Sequence, residues 1–234
     1  MNIRTYNNQV KNFLLRSCHG STLFDIEVGK AGDLHKWVSK GLTRVVGVDI
    51  NPGFIKEAWQ RKQSKEHQIG HYLDYHFFAH RQGDFDSFIV QEEFDIVSCQ
   101  FAMHYFFGNW QDIDLFFQCV GRRLKQGGAF ICTVLNGDRL PKPRFKTALF
   151  ESVQDKSETH KIHVGIKDTP YFQGRLIPEY LIYENTLLGA AELHGLRLHK
   201  KHSFESLRSN VRVELTKEEK DVCFLYDAYI FVKT

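Results

Sequence analysis

Leu23-Phe24-Asp25-Ile26-Glu27-Val28-Gly29-Lys30-Ala31-Gly32-Asp33-Leu34 is the stretch on which the fold turns. A short apolar run, then glycines around a lysine, then a polar residue opening an apolar helix pattern, describes a chain leaving a buried strand, turning, and entering a helix. The next apolar run, Val45-Val46-Gly47-Val48-Asp49, ends on an acid twenty positions after Gly29. In a doubly wound sheet that carboxylate sits at the carboxyl edge of the second strand, where it accepts both hydroxyls of a ribose. The same glycine spacing also serves turns that only pack a helix on a strand. An adenosine-containing cofactor is the sharper expectation. Glu27 and Val28 stand where a phosphate loop needs bare backbone, and a carboxylate there repels a pyrophosphate. It suits a cofactor bearing cationic groups, such as S-adenosylmethionine, and argues against a nicotinamide.

Outward from this stretch, periodicity predicts an amino-terminal helix over 6–15 and a helix through Leu34, Trp37, Val38 and Leu42 with Gly41 near its end. Asn51-Pro52 reads as a cap and first turn, running through Ile55, Ala58 and Trp59. Strands are expected over 71–80, 94–99 and 129–135, with a turn at Gly83-Asp84 and a helix over 113–124. Strands alternating with helices at this spacing imply a parallel sheet with right-handed crossovers. The polar stretch 136–173 is expected to carry a helix and a hairpin that cover the cleft. Residues 178–193 read as a helix, 196–202 as a strand, 216–222 as a helix opened by the Thr216/Glu219 capping box, and 229–233 as a last strand. The sum is an α/β Rossmann-like fold. It has a seven-stranded, mostly parallel sheet with an antiparallel edge and helices on both faces, in one domain over 1–234.

The 234 residues suffice for one large domain with a sizeable core. With 42% hydrophobic and 25% charged residues, the composition is that of a soluble globular protein. A formal charge of +3 is too small for a general nucleic-acid coat, though not for a local basic groove. The five cysteines (18, 99, 119, 132 and 223) have no paired short spacing, and Cys99 and Cys132 lie in apolar strand runs. Buried free thiols, a reducing intracellular compartment and no metal site are the expectation. No apolar run reaches membrane-spanning length, and no signal-peptide core opens the chain.

In order along the chain, Tyr-Asn-Asn-x-x-Lys (6–11), Gly-Lys-Ala-Gly-Asp-Leu (29–34), Val-Asp-Ile (48–50), Ser-Cys-Gln-Phe-Ala-Met-His-Tyr (98–105), Gly-Gly-Ala-Phe (127–130), Asn-Gly-Asp-Arg-Leu (136–140), Pro-Glu-Tyr-Leu-Ile (178–182) and Tyr226 resemble the messenger RNA cap guanine-N7 methyltransferases. They look most like the methyltransferase domain of the multifunctional capping enzymes of large DNA viruses. The resemblance implies the class I S-adenosylmethionine-dependent methyltransferase form of this fold, and methyl transfer from S-adenosylmethionine to guanine N7 of the cap, leaving S-adenosylhomocysteine. It implies capped mRNA 5′ ends as partner, triphosphatase and guanylyltransferase domains on a longer polypeptide, no membrane, and work in the cytoplasm of an infected cell or in a virion.

Carried over residue by residue, Lys11 meets the methionine carboxylate, Gly29 lets backbone approach the cofactor, Asp49 takes the ribose, Asp84 lies near the adenine amino group and Gln100 near the methionine moiety. For the cap, Lys30, Lys36 and Arg61 face the triphosphate, and Asn8 and Tyr226 line the pocket. His104 and Tyr105 flank the guanine, with Tyr105 also reaching the cofactor. Glu179 accepts from the guanine ring N–H and amino group. Taken alone, Asn8 and Lys11 read as a solvated helix face, the three cations as another, and His104-Tyr105 as packing.

Guanine N7 carries a lone pair and no proton, so no acid, base or nucleophile is expected, only positioning by His104, Tyr105 and Glu179. The family commonly has Gly-Cys-Gly where this chain has Glu27-Val28-Gly29. Glu27 is expected to compensate by pairing with the cofactor's ammonium. Two other readings stay open: a non-enzymatic module binding cap or a partner protein, and a methyltransferase acting on a small molecule.

Overall fold

Strands alternate with helices through the first half of the chain, as the spacing predicts. The computed structural model describes residues 2–80, 92–167 and 175–234. In order come α1 (Ile3–Arg16), β1 (Thr22–Ile26), α2 (Leu34–Lys40), β2 (Arg44–Asp49), α3 (Pro52–Ile69), β3 (Asp74–Ala79) and β4 (Phe94–Gln100). A 3-10 helix (Met103–Phe106), α4 (Trp110–Arg123) and β5 (Leu124–Leu135) complete the first half. The second half holds β6 (Arg144–Lys146), β7 (Phe150–Gln154), β8 (Lys161–Ile166), β9 (Ile177–Tyr180), α5 (Glu184–Leu193), β10 (Leu196–Ser203), α6 (Lys217–Cys223) and β11 (Tyr226–Lys233).

The main sheet runs β10-β11-β5-β4-β1-β2-β3. β1 to β5 are parallel, and β11 runs antiparallel to both β5 and β10. The reversed strand is therefore one in from the edge rather than at it. Successive strands leave β1 toward β3 in one direction and β4 toward β5 in the other, so the crevice between β1 and β4 is the switch point where open sheets bind ligands.

Helices cover both faces. α1 buries Ile3, Tyr6, Val10, Leu14 and Leu15, residues spaced to share one stripe. They join Trp37, Ile55 and Ala58 of α2 and α3 in one cluster, while α4 and α5 pack Phe116, Phe117, Leu187 and Ala191 in a cluster on the other face. Each fully buried side chain of this size contributes about 1.5–3 kcal/mol, so Val10→Asp would unseat α1. The caps follow the reading: Asn51 accepts from the Gly53 and Phe54 amides, and Thr216 and Glu219 form a capping box.

Two expectations are corrected in the second half. The helix expected from Pro178 begins only at Glu184, because residues 177–180 pair with β8 as the edge of a second, four-stranded antiparallel sheet, β6-β7-β8-β9. An edge strand tolerates Pro178, whose missing donor costs no ladder bond on the open side. The expected hairpin is present as β7 and β8, but no helix occurs in 136–173 among the described residues.

Candidate functional site

Among the described residues, three non-glycine residues adopt left-handed backbone, and all three lie in turns at the carboxyl ends of β1 and β4. Glu27 (φ 59°) and Ala31 (φ 51°) lie in the β1–α2 turn, and Phe101 (φ 59°) follows the end of β4. Each costs on the order of 1–3 kcal/mol, the kind of strain that collects at ligand sites.

On the β1–β2 side, Asp49 is buried, and its two carboxylate oxygens accept from the amides of Gly29 and Asn51, each at 2.8 Å. A lone pair remains on each oxygen for a ribose hydroxyl. A Cβ on Gly29 would meet nothing within 4 Å among the described residues. Ile50 beside it leaves an apolar side chain 48% exposed, a flat surface suited to an adenine.

On the β1–β4 side is a small recess lined by Lys11, Asp25, Asp33, Lys36, Ser98 and Gln100 among others. Lys11 on α1 lies 2.7 Å from one oxygen of Asp33, and the Lys36 ammonium holds the other. These two cations keep the Asp33 carboxyl below its usual range against the opposing effect of burial. Asp25, buried and facing Asp33, is pushed up to about 7, first by burial and then by that neighbouring charge. Gln100 donates to Ser98 Oγ and to the Ile131 carbonyl, both at 3.2 Å. Its Oε1 is buried without a hydrogen-bond partner among the described residues. An ammonium cation, an unused buried acceptor, an open glycine and a ribose acid fit both ends of S-adenosylmethionine.

Three sequence expectations change here. Glu27 Oε1 lies 2.9 Å from His80 Nε2, and the carboxyl also accepts from the Ile50 amide. A carboxylate this buried needs donors, and those two lie toward Asp49, away from the recess expected to take the ammonium. Lys36, expected to face a triphosphate, is buried instead: it sits three residues after Asp33 on the α2 face turned toward α1. Asn8 accepts from that same ammonium at 3.1 Å, which ties it to the recess only through Lys36. Asp84 lies outside the described residues.

Lys30 and Arg61 remain on the outer rim. Lys30 Nζ lies 2.8 Å from Glu57 and 5.1 Å above the Phe54 ring, and the exposed Arg61 reaches the turn near Gly32. Beyond the carboxyl end of β4, the 3-10 helix presents His104 and Tyr105, their rings 4.1 Å apart, with Tyr105 55% exposed. Glu179 on β9 brings Oε2 to 3.8 Å from His104 Nδ1. Burial holds His104 below its ordinary pKa, an effect partly offset by Glu179. Tyr226 opens β11 against Phe101 (5.4 Å) and Phe204 (5.7 Å), its hydroxyl pushed up by burial and by the Glu179 charge.

Sequence reasoning missed Asp25, Ser98, Ile50, His80, Phe101 and Phe204. Asp25 leaves a trace, a charge inside an otherwise apolar strand run; Phe204, nearly 200 residues from Tyr6 whose hydroxyl its carbonyl accepts, leaves none.

The sequence model of the family described as mRNA (guanine-N(7))-methyltransferase domain matches residues 1–224. An mRNA cap guanine-N(7) methyltransferase of Cryptococcus neoformans is 28% identical over 236 residues, covering 94% of this chain and 32% of the relative. One of Caenorhabditis briggsae is 28% identical over 233 residues, covering 89% of this chain and 61% of the relative. The chain thus spans from about a third to three fifths of the length of these curated relatives. A crystal structure of an S-adenosylmethionine-dependent methyltransferase from Clostridium acetobutylicum superposes with a TM-score of 0.63 over 99% of this chain and 92% of that one. At 13% identity that likeness shows the fold alone.

Proposed function

We infer the reaction from membership: the chain belongs to the mRNA (guanine-N(7))-methyltransferase domain family. We propose that it transfers a methyl group from S-adenosylmethionine to N7 of the guanine that caps messenger RNA. The observation that carries this reading is Glu179, a half-buried carboxylate 3.8 Å from the His104 ring and close enough to Tyr226 to push its hydroxyl up, just beyond the end of β4 whose last residue, Gln100, lines the recess.

When bound, S-adenosylmethionine supplies a methyl group already activated by sulfonium charge. Lys11 would hold its carboxylate, Gln100 Oε1 its ammonium, and Asp49 its ribose. Glu179 would accept from the guanine N1–H and amino group, the two adjacent donors that only guanine offers. An adenine would leave that carboxylate unpaired, at about 1–3 kcal/mol. His104, neutral through burial, and Tyr105 flank the base, while Lys30 and Arg61 face the triphosphate. N7 needs no proton removed, so alignment carries the rate; well-oriented reactants gain roughly 7–11 kcal/mol over free encounter. The product guanine is cationic, and the Glu179 charge favours it.

The viral kinship suggested by the order of motifs, linked triphosphatase and guanylyltransferase domains, and work in an infected cell's cytoplasm or virion belong to the same proposal. The test is incubation with labelled S-adenosylmethionine and RNA capped with either guanine or adenine. Label in the guanine-capped RNA alone supports the reading, and equal label in both refutes it.

A further inference from the structure

The walls assigned to the guanine come from chain segments far apart in sequence, Glu179 on β9 and Tyr226 on β11. One five-residue turn, Asn136 to Leu140 after β5, touches β11 and the chain that follows β9. The Asn136 amide donates to the Leu225 carbonyl at 2.9 Å, and its side chain donates to Asp227 Oδ2 at 2.6 Å. Those two partners flank Tyr226. The Gly137 amide donates to the Ile182 carbonyl at 2.9 Å, and Asp138 accepts from the Glu184 amide at 2.9 Å. That fastens the segment that begins three residues after Glu179. Gly137 is held tightly, since a Cβ there would lie 3.2 Å from both Ile182 O and Leu181 Cβ.

Asp227 is fully buried in a strand where an apolar residue would pack at lower cost. Arg139 lies 3.1 Å and Lys201 3.6 Å from its carboxylate, so this charge ties the turn, β11 and β10 together. Asn136 is itself buried, and its Oδ1 accepts from the Asp138 amide at 2.7 Å. A buried network held by hydrogen bonds to Asp227 Oδ2 and an ion pair to Oδ1 restricts the geometry more than apolar packing does. None of these groups lines the cofactor recess.

We propose that the Asn136–Asp227 hydrogen bond is a positioning clamp that sets the separation of Glu179 and Tyr226, and through it the selectivity for guanine, without touching the cap. The clamp rests on the cap-methylation reading above. Asn136 and Asp227 are positioning residues, and only the base-recognition half of the site should register their loss.

The test compares wild type, Asn136→Ala, Asp227→Asn and the exchange Asn136→Asp with Asp227→Asn, which restores the bond with donor and acceptor reversed. Each is measured for cofactor dissociation constant by calorimetry, and for kcat and KM on guanine-capped and inosine-capped RNA. The single variants should raise the KM for guanine-capped RNA about tenfold and lose most of the guanine-over-inosine preference. Cofactor affinity should stay within about twofold, and the exchange should recover at least half of the preference. Singles that bind cofactor normally and keep wild-type KM and preference overturn the clamp. Should the singles fail to fold, the folded exchange decides: wild-type preference supports the clamp, and a lost one overturns it. A wild-type chain that labels adenine-capped RNA as well as guanine-capped RNA instead overturns the functional reading, and the clamp with it.

Discussion

Asp49 and Glu179 are both carboxylates assigned to grip a ligand by accepting hydrogen bonds, and they are held in opposite ways. Asp49 ends a central parallel strand, is 5% exposed, and already accepts from two backbone amides. Glu179 stands on the edge strand of the small sheet, with a side chain 19% exposed and the His104 ring 3.8 Å away. The first belongs to a pocket finished before ligand arrives, and its acid doubles as structure. The second is an acceptor left for the substrate to satisfy. Breaking the first should cost both fold and function, and breaking the second should cost function alone.

The largest effect sharpens that contrast. Asp49→Ala strands the Gly29 and Asn51 amides and removes the ribose acceptor. We expect roughly 3 kcal/mol of lost stability in urea melts and a cofactor affinity down by at least about 100-fold in calorimetry. Glu179→Ala should leave stability within about 0.5 kcal/mol and cofactor affinity unchanged, while kcat/KM for capped RNA falls on the order of 10- to 100-fold.

Lysines divide the same way. Lys36→Met removes the buried one of two cations that hold the half-buried Asp33 and should destabilise the fold by about 3 kcal/mol, read by chemical denaturation. Lys30→Met, on the rim against Glu57, should cost less than about 1 kcal/mol and appear mainly as a higher KM for triphosphate-bearing cap.

Acid should strike the cap side of the cleft through His104. Burial lowers its pKa in the folded state, so the neutral ring's contribution is complete above the unfolded value near 6.5 and is lost as pH falls through the lower folded value. At saturating cofactor, kcat/KM for capped RNA should be flat above neutrality and fall only below about 6.5, with the limb absent in His104→Asn. A steep limb at or above pH 7 would mean an essential base and break the mechanism.

The smallest effect lies at the far, amino edge of the sheet. Asp95 accepts from the Ser21 and Thr22 amides and from Lys125, which hold it at about 2. That stability is present above about pH 4 and lost as pH falls through about 2; screened by solvent, it is worth on the order of 1 kcal/mol. Asp95→Asn should flatten the stability profile over that range without altering methyl transfer.

What could be read from the chain follows the same division. The glycine turn and the placement of Asp49 beside it are legible because β1, its turn and β2 are contiguous, and parallel-strand periodicity places their ends at one edge; Lys11, on α1, reads alone as a solvated face and came from the resemblance. Glu27 misled because a left-handed turn sends its side chain to His80, and backbone handedness at a non-glycine residue has no sequence signal. Lys36 misled because a buried cation and a solvated one look alike until its partner Asp33 is located. The second sheet was illegible in topology: Pro178-Glu179-Tyr180 scans as a helix start, and only pairing with β8 makes it a strand. Its site residues came from resemblance, since contacts spanning scores of residues leave no local period to detect.

The most direct test of the central claim, that guanine is held edge-on by Glu179, is the ratio of kcat/KM for guanine-capped over inosine-capped RNA in wild type and Glu179→Gln. Inosine lacks only the amino group, so wild type should prefer guanine about tenfold, the worth of one charge-assisted hydrogen bond. Glu179→Gln should bring the ratio near one while binding cofactor as wild type does. A variant that keeps the full preference would contradict the account.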